Sequence, residues 1–182
     1  MSFYKKSDMD TDVIRLTNDS ANDDIFYQNP SFFSPDDQKF LFRSQRGDGN
    51  YRLYVLDLIS GDITLLRKDT SFGWIPTWSK DSKEVYVGHI GKIIVIDIEN
   101  LREKIIDIPS DSWITFLDLS PSGDQLVFVE EDSRSWVDHH KILSVINVDG
   151  SGYRQVYILD HVNEFYLDHP FFIEENIVLF LT

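Results

Sequence analysis

The chain has 182 residues, 42% of them hydrophobic and 14% aromatic, so it holds enough apolar material for one domain with a real core. Its formal net charge of −14 repels phosphate backbones and anionic lipid, which removes nucleic acid and membrane surfaces from the expected partners. Cysteine is absent, and with it disulfides, thiolate catalysis and Cys-type zinc sites.

The amino-terminal stretch Met1–Asp10 has two lysines but no apolar run behind them. The longest apolar runs, such as Ile93–Ile96, are strand-sized. Neither a secretory leader nor a bilayer span is expected, and a cytoplasmic location follows as the expectation. In chain order, Asp12–Thr17 reads as an outer β-strand without the three strands that should precede it. Then comes a repeat. Pro30–Phe42, Pro76–Val87, Leu117–Phe128 and His169–Phe180 each carry a short apolar strand, a polar turn and a second apolar strand. The turn serines Ser34, Ser79 and Ser120 lie 45 and 41 residues apart, a period that suits four strands per propeller blade, and Ile173 stands 53 further on without the serine. A third strand ends each unit in an apolar-Asp-apolar or apolar-Asn-apolar step: Leu53–Leu58, Ile93–Ile98 and Leu143–Val148. A turn and a fourth strand follow, as in Ile63–Leu66 and Gln155–Ile158.

The apolar content of the first three strands is nearly continuous, so both faces of each unit should be covered, as when blades stack. No apolar pattern of 3.6-residue period runs for three turns between caps, and no helix is predicted. The fold class is therefore all-β. The chain reads as an incomplete β-propeller: an outer strand at 12–17, blades at 30–67, 75–108 and 115–159, and a half blade at 169–181.

Val13–Thr17, Phe26–Gln28, Phe33–Asp37, Phe40–Phe42 and Asn50–Leu58, taken in that order, resemble the amino-terminal part of the oligogalacturonate lyases. Leu167–Phe171 is similar to the His-Pro step that opens the middle blade of that family. The family consists of seven-bladed propellers of the wider TolB-like group that degrade pectin fragments by β-elimination. The resemblance covers essentially the whole chain but about half of the family's length. It implies a histidine base just past the His-Pro strand pair and a manganese site of His and Gln in later blades. Val178–Thr182 matches the strand where that histidine would fall, with Thr182 in or beside its place. Base and metal ligands are thus expected to be absent from this chain, and no catalytic or metal-binding residue is assigned. Two functional readings follow: a partial lyase-like protein without turnover of its own, or a non-catalytic TolB-like module that binds another protein. A second copy of the chain or a missing carboxy-terminal half is the expected partner, with an acidic oligosaccharide as the candidate ligand.

The candidate binding residues are few. Imidazole beside carboxylate suits a divalent metal or an acid–base pair, and Asp138-His139-His140, Asp160-His161 and Asp168-His169 offer that chemistry. His139 and His140 are neighbours, which on a strand would point to opposite faces. His169 opens an inner strand beside the funnel; it serves either as a ligand or as a turn cap while Pro170 fixes the start of the strand. A polyanionic pectin fragment calls for cations, and Arg43, Arg46, Arg52 and Lys92 are the ones available. Trp74 and Trp113, in the connections leading into blades two and three, and Trp136, in the long loop of blade three, could stack on sugar rings, whereas Trp78 holds a core slot. Asn22–Asp24, Glu130–Asp132 and Glu174–Glu175 read as solvated loop charge.

Overall fold

The structure, a computed structural model, describes residues 2–5, 12–18, 20–25, 32–69, 75–131, 140–159 and 168–181. No α-helix occurs among them. The strands are β1 (Ser2–Lys5), β2 (Asp12–Arg15), β3 (Asp23–Asp24), β4 (Lys39–Ser44), β5 (Arg52–Asp57), β6 (Ile63–Arg67), β7 (Thr77–Trp78) and β8 (Glu84–His89). They continue with β9 (Lys92–Asp97), β10 (Glu103–Asp107), β11 (Trp113–Leu119), β12 (Gln125–Glu131), β13 (Lys141–Asn147), β14 (Arg154–Leu159), β15 (Asp168–Glu174) and β16 (Ile177–Leu181). Three antiparallel four-stranded sheets, β3–β6, β7–β10 and β11–β14, lie between two two-stranded ones, β1–β2 and β15–β16. This is the expected series of propeller blades, and among the described residues the sheets do not close into a ring.

Two local expectations change. The strand at Asp12 is not alone, because Val13 and Ile14 pair with Tyr4 and Phe3 of β1. The first blade also starts upstream of position 30, since Asp23 pairs with Ser44 and Asp24 with Arg43 at one end of β4 while Phe33 bridges Phe40 at the other. The sequence hides this start because Asp23 and Asp24 carry no strand signal of their own.

The repeated serine builds the turn between the first two strands of each full blade. Ser34, Ser79 and Ser120 are buried, and the hydroxyl of each accepts the backbone N–H that opens the second strand, from Lys39, Glu84 and Gln125 at 2.9, 2.8 and 3.1 Å. Three residues past each serine the backbone turns to positive φ, at Asp37 (57°), Ser82 (60°) and Gly123 (89°). Adjacent turns are tied into a belt. The Asp36 N–H donates to Ser82 Oγ at 3.1 Å, Lys80 Nζ to Pro121 O at 2.9 Å, and Ser122 Oγ to Glu175 Oε1 at 2.6 Å.

Alternate residues of each middle strand feed different interfaces, which is why these strands are apolar throughout. Val85 and Val87 of β8 pack with Leu41 and Val55 of the first blade, while Tyr86 between them joins Leu126, Phe128 and Ile146 of the third. Val127, Val129, Leu143 and Val145 then meet Phe172, Val178 and Phe180 of the β15–β16 hairpin. Burial of each such side chain stabilises by about 1.5–3 kcal/mol, so the stack of blades, not any one sheet, holds the chain together.

The turns also set an acid response. Hydrogen bonds from Ser34 to Asp36, from the Ser60 and Ile59 N–H groups to Asp57, from Ser79 to Asp81, from the Asn100 N–H to Asp97 and from Ser151 to Asp149 hold these carboxyls below their usual range. Depressed values contribute stability that is fully present above the unfolded carboxylate range and is lost as pH falls through the folded values. Asp118 has the opposite sign, because burial raises it. Urea midpoints are therefore expected to hold from pH 7 to 5 and to fall below about pH 4, with five lowered turn carboxylates outweighing one raised group. A midpoint unchanged at pH 3 would show that these bonds contribute nothing net.

Candidate functional site

Strand alternation sorts the connections between two ends of the arc. One end carries the tight serine turns. The other carries the links from an outer strand to the next inner strand and those between second and third strands, and among the described candidates Arg43, Arg46, Arg52, Lys92 and Trp113 lie in or beside these links. Backbone contacts confirm that neighbouring blades share this orientation. The Gly91 N–H donates to Ser112 O at 2.9 Å, and Ile90 bridges Trp113.

Arg43 and Arg46 come to this end together, and neither is a free cation. Arg43 donates Nε and a terminal amine to Asp24 Oδ2 at 3.0 and 2.5 Å, with its guanidinium 5.2 Å from the Tyr51 ring centre. Arg46 donates to both Asp23 oxygens at 2.8 and 3.0 Å and from Nε to Ser44 Oγ at 2.9 Å, and it lies over the rings of Phe42 and Tyr54. Burial pushes the Asp23 carboxyl up, but hydrogen bonds from Ser44, Thr17 and Arg46 outweigh it and leave the group below its usual value. Beside Arg46 lies an open depression of about 480 Å³ lined by Ser20, Ala21, Asn22, Gln45, Gly47 and Gly49. An acidic ligand there would have to compete with Asp23 for the guanidinium. Arg52 is likewise paired, with Asp48.

Trp113 opens the inner strand β11 instead of lying in a connection, and it is half-buried. Its ring centre is 6.3 Å from that of His89, whose Nε2 lies 3.3 Å from Asp69 Oδ2. Arg67 holds the same Asp69 oxygen at 3.2 Å and reaches Glu103 at 2.7 Å. Nδ1 of His89 and Nε of Arg67 are buried without a hydrogen-bond partner. This His–Asp–Trp group was not singled out from the sequence. Its signal is positional, since His89 is the last residue of a second strand and Asp69 lies just past a fourth strand, both at the loop-bearing end.

The acidic residues read as solvated loop charge are mostly strand residues. Asp23 and Asp24 form β3, Glu130 and Glu131 end β12, and Glu174 ends β15. Glu130 is 1% exposed, accepting from Ser110 Oγ at 2.5 Å, from Tyr153 OH at 2.7 Å and from Ser144 Oγ. Glu131 pairs with Lys141 at 3.1 Å. Phe116 sits in a bulge of β11 with φ of 50° and packs against both the first and the last inter-blade clusters, at the inner edge of the arc. Trp78 is core as expected, donating Nε1–H to Phe32 O at 3.2 Å. The His169 backbone lies in β15 as predicted, and His140 is exposed next to β13. Trp74, Trp136, His139 and His161 lie outside the described residues. Among the described residues no three His, Asp or Glu side chains converge as a manganese site requires, so no chemical step is derived through that metal.

No family model matches this sequence, and no curated protein does. Solved structures share the fold. An oligogalacturonate lyase in complex with manganese superposes with a TM-score of 0.75 at 19% identity, over 96% of this chain and 50% of that one. An oligogalacturonate lyase from Vibrio parahaemolyticus gives 0.74 at 19% identity with the same two coverages. A TolB-type protein from Agrobacterium tumefaciens gives 0.60 at 24% identity, over 71% of this chain and 48% of that one. The chain spans about half the length of these structures, and the likeness is one of fold: a propeller arc of the lyase and TolB type.

Proposed function

We propose, on the premise of that shared arc, that the chain is a lyase-type propeller half without turnover of its own. In this reading its loop-bearing end offers a cytoplasmic binding face to acidic oligosaccharide fragments. The observation that carries the reading is the match of 96% of the chain to half of an oligogalacturonate lyase. β-Elimination on a uronide needs a base for the proton next to the carboxylate and a cation for the charge of the developing enediolate. The described residues supply no such pair. His89 is engaged with Asp69, and the guanidinium groups of Arg43 and Arg46 are held by Asp24 and Asp23. Those same neutralised arginines support the second reading, a TolB-like module that binds a protein instead of a polyanion. Purified chain given digalacturonate is expected to yield no unsaturated-product absorbance, with or without added manganese. Turnover that disappears on His169→Ala would overturn the proposal and make His169 the base. Titration with galacturonate oligomers separates the two readings: shifts at Arg46 and Trp113 resonances support the carbohydrate face, and their absence the protein module.

A further inference from the structure

We propose that the depression beside Arg46 is a subsite for a neutral sugar residue, and that Asp23 sets this preference by keeping the arginine from a uronate carboxylate. The inference rests on the carbohydrate reading of this face and names the kind of sugar that one part of it takes.

The walls come from two pieces of chain. Ser20 to Asn22 lead into β3, and Gln45 to Gly49 belong to the link between β4 and β5, so both stand at the loop-bearing end of the first blade. They are fixed to each other: the Gln45 N–H donates to Asn22 O at 3.0 Å, and Asn22 Nδ2 donates to Gln45 Oε1 at 2.7 Å. Within the link, the Gly49 N–H closes on Gln45 O at 3.2 Å. Gly47 and Gly49 have φ of 99° and 81°, and the space that a Cβ would take at either is open. A ligand can therefore lie against bare backbone. The volume of about 480 Å³ falls within the range of about 300–1,000 Å³ usual for small-molecule sites.

The polar groups left over decide the ligand. Asn22 and Gln45 each use one amide atom on the other, and among the described residues Asn22 Oδ1, Gln45 Nε2, the Ser20 hydroxyl and the Gly47 N–H have no partner. This set holds an acceptor and several donors, and no charge. A sugar hydroxyl both donates and accepts, so it suits Asn22 Oδ1 and Gln45 Nε2 together, whereas a carboxylate only accepts and would face the Asn22 oxygen unpaired.

The one cation among the described lining residues is committed elsewhere. Arg46 donates to both Asp23 oxygens at 2.8 and 3.0 Å and to Ser44 Oγ at 2.9 Å, and its guanidinium stands 5.1 and 5.3 Å from the ring centres of Phe42 and Tyr54. The two side chains are 16% and 19% exposed, so the pair is largely out of water. A uronate reaching for the guanidinium must displace Asp23 or sit beside it, two like charges at one arginine, on a chain that already carries −14. Burial pushes the Asp23 carboxyl up, but the bonds from Ser44, Thr17 and Arg46 keep it below its usual value, and the opposing charge persists at neutral pH. A neutral sugar meets no such opposition.

The test compares two matched probes on the full chain. Methyl galactopyranoside and methyl galacturonopyranoside differ only in a hydroxymethyl group against a carboxylate, and each is titrated while backbone and side-chain amide resonances are followed. The neutral glycoside is expected to shift Gln45, Gly47 and Gly49 and to bind about tenfold or more tightly than the acid. Asp23→Asn keeps an acceptor for Ser44 and releases Arg46, so the order of the two probes should reverse. Asp24→Asn releases Arg43, which does not line the depression, and should keep the parent order. Asn22→Ala should lose the neutral glycoside with the rest of its spectrum unchanged. Equal binding of the two probes to the parent, neutral-glycoside shifts that spare residues 45–49, or a folded Asp23→Asn protein with the parent order would each overturn the proposal. If Asp23→Asn does not fold, the parent titrations and Asn22→Ala decide. The wider reading fails separately. Galacturonate oligomers that shift Trp113 while the neutral glycoside shifts nothing refute the subsite alone, and neutral-glycoside shifts at 45–49 with the oligomers silent refute the acidic ligand alone.

Discussion

Gly88→Ala is expected to destabilise the chain by about 3 kcal/mol, at the upper end for an overpacked interior, and to lower the thermal midpoint by roughly 6–12 °C for a domain of this size. Gly88 lies in β8, paired with Ile93 in the middle of the second blade, and its backbone is ordinary for a strand. What the residue permits is an approach. The inner strand of the third blade comes so close that a Cβ at position 88 would stand 2.0 Å from Ile114 O and 2.8 Å from Ile114 C. Backbone atoms of a buried strand cannot yield like the end of a flexible side chain. Either β11 moves away from β8, opening the cluster of Tyr86, Ile93, Leu117 and Phe128, or β8 itself bends. Urea unfolding of the two proteins measures the cost, and a loss below about 0.5 kcal/mol would mean the blades are not in contact at this point.

Glu130→Ala should cost about as much, near 3 kcal/mol, for a different reason. Its carboxylate is buried between the second and third blades and accepts from three hydroxyls, those of Ser110, Ser144 and Tyr153. Hydrogen bonds to a charged acceptor contribute about 1.5–3 kcal/mol each, and truncation orphans all three donors and leaves a cavity. Part of this loss is offset, since the folded state no longer bears the desolvation cost of the carboxylate. Glu130→Gln keeps an acceptor and should fall between the two. Asp48→Ala, which breaks the exposed pair with Arg52, should leave the urea midpoint where it is. Equal midpoints for Glu130→Ala and the parent would show that water reaches the hydroxyls and that Glu130 is not a joint between blades.

Repeating, local chemistry was legible before the structure. The spacing of Ser34, Ser79 and Ser120 encodes a turn closed within six residues by one hydroxyl, and the apolar runs Leu53–Leu58 and Ile93–Ile98 encode strands buried on both faces. Such features depend on neighbours in the chain, so their number, order and all-β class could be taken from residues alone. The candidate site was less legible. Arg43 and Arg46 were visible as cations and Asp23 and Asp24 as acids, but their mutual neutralisation depends on the register of β3 against β4. Asp69, His89 and Trp113 stand beside three different links in the chain and meet only because adjacent blades stack in one orientation.

Composition and periodicity by themselves determined an acidic, cysteine-free chain built on a four-stranded repeat. Only the tertiary structure decided that Glu130 is a buried joint rather than loop charge, that Gly88 is a contact between blades, and that Asp12–Arg15 belongs to a hairpin. The reason is range. A turn or a strand is selected by side chains a few residues apart, whereas the environment of a carboxylate or a glycine is set by atoms brought from another strand or blade, about twenty or more residues away, and no local pattern records their arrival.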